Sequence, residues 1–224
     1  MGRRAVPGHL GIIVDGNRRW AGRRGLDLSR AYARGARQAV DVLTWCEELG
    51  VEAVTLWLLS LANFDRAGDE LRPLLASIAE GTRMLAGTRR WPIRAIGAMD
   101  RLPRAVAEAL RSAERETAGI AGMRVTLAVA YGGRHEIVSA VRAVAATGSP
   151  ITEEAIDGVL ASRGHETPDL IIRTAGEQRL SGFLLWQSVH SELYSCRAPW
   201  PRLRRRHLRR AFRAYAHRRR TFGT

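Results

Sequence analysis

Five short apolar runs, each set off by stretches of helical period, leave this chain few ways to fold. The runs fall at residues 10–14, 53–59, 93–96, 125–130 and 170–173. They are almost continuously apolar, not alternating, as burial on both faces of a parallel sheet requires. Helical patterns cover 32–49, 69–86, 104–117, 136–146, 153–162 and 203–220. This βα alternation predicts a mainly parallel central sheet flanked by helices. Gly148-Ser149-Pro150 is too short a loop to separate domains, so residues 1–224 read as a single α/β domain.

The first run ends abruptly in Asp15-Gly16-Asn17-Arg18-Arg19-Trp20. In open α/β sheets, ligands bind outside the carboxyl ends of strands. Asp15 can hold a hard divalent cation, and Gly16 lets backbone N–H groups approach phosphate oxygens. Arg18 and Arg19 can clamp a phosphate in bidentate fashion. The other reading is an N-capped surface turn with Asp15 or Asn17 as the cap.

Later strand ends repeat the chemistry. The second run leads into Ser60-Leu61-Ala62-Asn63-Phe64-Asp65-Arg66, and the fourth into Tyr131-Gly132-Gly133-Arg134. The fifth leads from Arg173 into Thr174-Ala175-Gly176-Glu177-Gln178-Arg179-Leu180-Ser181. Arg173, Arg179 and Ser181 suit a second anion site beside the first. No GxxxxGK[ST] loop is present and the first turn is not GxGxxG, which argues against P-loop and dinucleotide-binding (Rossmann) enzymes. Of the six histidines only His9 and His190 fall near the proposed site, and both read as structural.

Composition narrows the setting. Cys46 and Cys196 have no metal or redox spacing, so both read as buried thiols of a reduced, cytoplasmic protein. No run reaches the length of a membrane span, and the charges after Val14 argue against a signal peptide. Net charge is +14 and every basic side chain other than histidine is arginine. The last helical stretch, 202–220, carries ten arginines around Leu203, Leu208, Phe212 and Tyr215. It reads as a solvated cationic face, or as a surface that attracts anionic substrates, membrane or nucleic acid. An Arg-rich nucleic-acid- or lipid-binding protein is thus an alternative to an enzyme. It leaves the strand-end residues without a role, so no nucleic acid and at most peripheral membrane contact are expected.

These motifs, in this order, resemble those of the cis-prenyltransferases, the family with the fold of undecaprenyl diphosphate synthase. Asp15 to Ala21 is similar to the first motif, and Ser60 to Arg66 to a Ser-x-x-Asn-Trp-x-Arg motif with Phe64 in the tryptophan position. Tyr131 to Arg134, Ile172 to Ser181, Phe183 to Gln187 and Glu192 to Tyr194 match the rest. The resemblance implies condensation of two prenyl diphosphates with loss of diphosphate. One diphosphate lies on Gly16, Asn17, Arg18 and Arg19, the other on Arg173, Arg179 and Ser181, with Arg66 assisting. Asn63, Phe64 and Trp20 position the reacting ends and tails. Mg²⁺ is implied on Asp15, with Glu192 as second carboxylate brought by a neighbouring subunit, hence a homodimer. Non-catalytic relatives lack the first aspartate; Asp15 marks this chain as catalytic.

The departures point to a branch. Leu28 and Tyr32 stand where an arginine and a histidine are expected, Ala62 replaces an acid, and Ala67 a proline. Arg30 and Arg34 are candidates to replace the lost charge. Gly25 to Tyr32 is similar to the irregular, lavandulyl-type branch (cyclolavandulyl and isosesquilavandulyl diphosphate synthases), which joins allylic units head-to-middle. The expectation is therefore head-to-middle joining of dimethylallyl diphosphate with geranyl or dimethylallyl diphosphate in terpenoid secondary metabolism. Regular head-to-tail cis elongation with isopentenyl diphosphate is the alternative. Tyr32, Ser60, Asn63 or a diphosphate oxygen would relay the proton, with Asp15 and Asn17 completing the catalytic set. Met84, Leu85, Trp91 and Met123 are candidates for the floor that limits product length.

Overall fold

The computed structural model describes residues 6–65, 68–160 and 167–217. Six strands form one sheet: β1 (His9–Ile13), β2 (Ala53–Trp57), β3 (Ile93–Ile96), β4 (Arg124–Ala128), β5 (Leu170–Arg173) and β6 (Glu192–Ser195). All pair in parallel, in the order β3-β4-β2-β1-β5-β6. The helices are α1 (Asn17–Gly22), α2 (Leu28–Glu48), α3 (Gly68–Gly87), α4 (Arg104–Thr117), α5 (Gly133–Ala146), α6 (Glu153–Val159) and α7 (Arg205–His217). Among the described residues, no helix is long and apolar enough to cross a membrane.

Two elements escape the sequence pattern. The helix α1 has only six residues, too few to show a period. The strand β6 has four residues, all half-buried at the sheet edge, so it carries no apolar run. Helix α2 begins at Leu28 and not at residue 32, because the Asp27 carboxylate caps it by accepting from the Arg30 N–H at 2.9 Å. Helix α7 starts at Arg205, since Trp200–Arg202 form a 3-10 turn before it. Residues 161–162 and 218–220, expected in α6 and α7, lie outside the described residues.

Both faces of the sheet are covered, but differently. The larger core packs Leu10, Ile12, Val54 and Leu56 against apolar residues of α2, α3, α4 and α7. The opposite face carries Ile13, Trp57, Ala128 and Ile171. There the connection after β5, and not only helices, provides the cover. Phe183 from that connection stacks on Trp57 with ring centroids 5.3 Å apart. It fits because β1 offers Gly11, where a Cβ would come within 2.9 Å of the Phe183 ring.

Strand order fixes where a ligand can go. The chain runs from β1 to β2 on one side, and crosses back from β4 to β5 on the other. The connections therefore diverge between β1 and β5, whose register sets Ile13 opposite Arg173. That topological switch point is where open α/β sheets bind ligands. His9 opens β1 and so lies at the far end; its Nε2 shares a buried hydrogen bond of 2.9 Å with Thr55 Oγ1. The expectation that His9 lies near the site is thus corrected, while its structural role stands. Cys46 and Cys196 are free and buried, and burial raises the pKa of both thiols.

Candidate active site

The loop after β1 is held from three directions. The Asp15 N–H donates to Thr174 Oγ1 at 2.7 Å, and the Thr174 hydroxyl lies 2.8 Å from the Asp15 carbonyl. The Trp200 N–H donates to that same carbonyl at 2.9 Å. Gly16 follows at φ +93°, where a Cβ would sit 2.7 Å from Ala175 Cβ and 2.8 Å from Pro199 Cβ. Only glycine gives this turn both its left-handed backbone and its close approach. Gly16 therefore occupies the N-cap position of α1, and neither Asp15 nor Asn17 acts as the side-chain cap.

So fixed, Asp15 faces arginines. Its Oδ2 accepts from Arg173 Nη2 at 3.1 Å, and its Oδ1 lies 3.8 Å from Arg19 Nη2. Arg173 is buried and tied to its neighbours: Nη1 donates to Ser181 Oγ at 2.7 Å and to the Arg179 carbonyl. Arg19 and Arg179 share the Glu177 carboxylate, and Arg18 pairs with Glu70 at 2.9 Å. Asp15, Arg18, Arg19, Arg173, Glu177 and Arg179 line a cleft of about 690 Å³ with Asn17, Tyr32 and Asn63. The cleft continues into a narrow apolar cavity of about 50 Å³ between α2, α3 and the strand ends, walled by Ala39, Leu74, Ile78 and Leu85. Val14, Asn17, Tyr32, Leu58 and Leu74 belong to both.

Two polar atoms in this cleft lack partners. Asn17 Oδ1 and Arg173 Nε are buried without a hydrogen bond among the described residues. Buried unsatisfied groups cost about 1–3 kcal/mol each, so both are suited to a ligand that supplies their partners. An anion with several oxygens fits Arg173. No group of three or more His, Cys, Asp or Glu gathers among the described residues. Magnesium is commonly held by one or two carboxylates plus substrate phosphates, and Asp15, a third exposed beside the arginines, fits that mode.

Of the residues expected here, Asp15, Gly16, Asn17, Arg18, Arg19, Tyr32, Asn63, Arg173 and Arg179 meet in the cleft. Ser60 does not line it; its N–H donates to Asn63 Oδ1 at 3.1 Å and so orients that side chain. Ser181 acts through Arg173. Phe64 packs against the main core, and Trp20 lies under the Arg24 guanidinium at 5.0 Å; neither lines the cleft. Arg66 lies outside the described residues. Glu192 starts β6 opposite Leu170, at the other end of the sheet from Asp15, so the two carboxylates do not meet within one chain.

Arg30 pairs with Asp27 and Arg34 with Gln38, and neither lines the cleft in place of the charge missing at Leu28 and Tyr32. Of the proposed floor residues only Leu85 lines the apolar cavity; Trp91 and Met123 are core. Sequence reasoning misses Trp200 entirely and gives Thr174 and Glu177 no role. The proline on each side of Trp200 is the available signal for a fixed turn.

Gly35 offers a test of this geometry. A Cβ there would lie 3.0 Å from Asn17 Oδ1 and 3.2 Å from Trp200 Cδ1, whose ring N–H donates to the Gly35 carbonyl. Gly35→Ala should lower kcat/KM about tenfold by shifting Asn17, since small misplacements at a site are costly. Steady-state kinetics beside a melting curve checks this; an unchanged kcat/KM would show that Asn17 tolerates the push.

A parallel α/β sheet with arginines and carboxylates at its switch point, above an apolar slot, defines an enzyme class that grips an anionic head beside an apolar tail. The family described as "Putative undecaprenyl diphosphate synthase" matches residues 13–223. The chain is 45% identical to "Isoprenyl transferase 1" of Streptomyces avermitilis, over 97% of this chain and 89% of that protein. It is 45% identical to "(2Z,6E)-farnesyl diphosphate synthase" of Thermobifida fusca, over 97% and 90%. Its fold matches lavandulyl diphosphate synthase from Lavandula x intermedia, solved in complex with dimethylallyl diphosphate, with TM-score 0.92, 33% identity, and 99% and 100% of the two chains covered. The chain belongs to the undecaprenyl diphosphate synthase family, the cis-prenyltransferases. It is a prenyltransferase.

Proposed function

We propose that this enzyme condenses short prenyl diphosphates head-to-tail, extending a short allylic diphosphate with isopentenyl diphosphate to a short-chain product. The observation that carries this reading is the arginine cleft opening onto a small apolar cavity. The cavity is small, about 50 Å³, and walled by apolar side chains of α2 and α3, as suits a short prenyl tail. The names of relatives at 41–45% identity, farnesyl and short-chain Z-isoprenyl diphosphate synthases, favour the same reading.

In this proposal the allylic diphosphate lies on the turn at Gly16 and on Arg18 and Arg19, its tail between α2 and α3. The second diphosphate lies on Arg173, Arg179 and Ser181. The C–O bond of the allylic donor breaks, the acceptor's double bond forms the new C–C bond, and a proton then leaves the resulting cation. Arginines beside the departing diphosphate stabilise its developing charge. Asp15 would hold magnesium, which supplies further charge neutralisation to that leaving group. Clamping both heads turns a two-body encounter into an oriented one. We place the enzyme in the cytoplasm as a homodimer, because only a neighbouring subunit can bring Glu192 toward a site built on Asp15.

Head-to-middle joining is the second reading. It is favoured by the fold match to lavandulyl diphosphate synthase and by Tyr32, which lines the cleft where a histidine is expected. Supplying Mg²⁺ with dimethylallyl, geranyl and isopentenyl diphosphates, alone and in pairs, decides between them by mass spectrometry and NMR of the dephosphorylated products. A linear product that needs isopentenyl diphosphate supports head-to-tail elongation; a branched product formed without it supports the second reading. Tyr32→Phe should lower kcat about tenfold or alter the product, as expected of a group that relays a proton. Wild-type rate and product would take Tyr32 out of the chemistry.

A further inference from the structure

One carboxylate in the cleft has no task in the scheme above. Glu177, on the turn after β5, places Oε1 2.9 Å from Arg19 Nη2 and Oε2 2.5 Å from Arg179 Nη1. Arg19 comes from α1 and Arg179 from the turn itself, and both line the cleft. Carboxylate and phosphate oxygens present a guanidinium with similar geometry. Glu177 therefore occupies donors that an incoming diphosphate needs.

The cleft has two kinds of arginine. The Arg173 side chain is 7% exposed and tied to Asp15, Ser181 and the Arg179 carbonyl. The Arg19 and Arg179 side chains are 51% and 65% exposed, and Glu177 is 24% exposed. Their bridge can swing away without opening the core. Exposed ion pairs are weak, so an anion of higher charge can displace this one.

We propose that Glu177 is a built-in stand-in for phosphate. It holds Arg19 and Arg179 in place over the empty cleft, yields to a diphosphate, and returns to the arginines as the diphosphate leaves. It is a positioning residue that acts through two arginines, and the proposal rests on the diphosphate-binding reading above. Because both its oxygens are engaged, an anion that takes one arginine also loosens the hold on the other. The bridge lowers affinity for diphosphate and speeds its release.

The test is titration calorimetry with inorganic pyrophosphate, without divalent cations, on the wild type, Glu177→Gln and Glu177→Asp. Aspartate keeps the charge but is one methylene shorter, so it does not span both arginines. Both variants should bind pyrophosphate about three- to tenfold more tightly than the wild type, with KM and kcat falling together in turnover. If Glu177→Gln binds more tightly but Glu177→Asp matches the wild type, the charge alone matters and the bridge is refuted. Weaker binding by either variant would mean that Glu177 helps to hold the diphosphate, which also overturns the proposal. Absence of pyrophosphate binding by all three proteins would instead remove the diphosphate reading itself, and this inference with it.

Discussion

Asp15→Ala is expected to lower kcat about a thousandfold while leaving the melting temperature within a few degrees of the wild type. The carboxylate stands 3.1 Å from a buried guanidinium and is the candidate metal contact on the loop after β1. Losing a preorganised electrostatic group in an active site costs about 10²–10³ in rate, and loss of the metal's contribution adds to this. A thousandfold corresponds to about 4 kcal/mol of barrier. The fold should survive, because the Asp15 backbone, not its side chain, makes the bonds to Thr174 and Trp200. Arg173 also keeps its bonds to Ser181 and the Arg179 carbonyl. Steady-state rates at saturating substrate and a melting curve suffice; a rate within threefold of wild type would remove Asp15 from the mechanism. A protein that works only through the cationic face of α7 would be indifferent to this change.

Gly97→Ala should be the most destabilising of the small substitutions considered. Gly97 follows β3 at φ +126°, and a Cβ there would lie 1.9 Å from the Val129 carbonyl oxygen. That carbonyl belongs to backbone, which has no rotamer to escape into. Neighbouring bonds, Ala98 N–H to the Ala130 carbonyl and Val129 N–H to the Ile96 carbonyl, hold the two segments together. Backbone strain of about 1–3 kcal/mol adds to an overpacking cost of similar size, so a loss of about 3–5 kcal/mol is expected. For a chain of this length that lowers the melting temperature by about 10 °C. Gly122→Ala is the matched control: φ is +124°, but the nearest atom to its Cβ is 3.6 Å away. It should show the strain alone and fall by a few degrees. Equal losses in the two variants would mean that the contact with Val129 contributes nothing.

The sequence is most legible where burial speaks directly. Leu170–Arg173 is read to the residue because a strand buried on both faces leaves an apolar run; Ile93–Ile96, with Arg94 exposed, is marked instead by its two buried isoleucines between helical stretches. Glu192–Ser195 leaves no such mark, since a half-buried edge strand gains its place from pairing with β5 and not from its own composition. The same divide runs through the site. Asp15, Arg19 and Arg173 are legible because strand ends and charge lie together in the sequence. The role of Glu177 is not, because its contact with Arg19 joins a turn to α1, 158 residues away. Trp200 escapes for a like reason: its bonds to Asp15 and Gly35 arise from the return of the chain after β6. Leu28 and Tyr32 stand out as departures from sequence alone, but whether Arg30 or Arg34 replaces the charge is a matter of placement, and neither lines the cleft.

The hydrogen bond from Trp200 to Asp15 also sets a timetable for biosynthesis. Domains tend to fold from the N-terminus as the chain emerges, and β1 to β4 contain most of the large core. Yet the Asp15 backbone is tied down by Thr174 and Trp200, both of which come late in the chain. A nascent chain can therefore bury β1 to β4 early and still lack a finished cleft until Trp200 has left the ribosome.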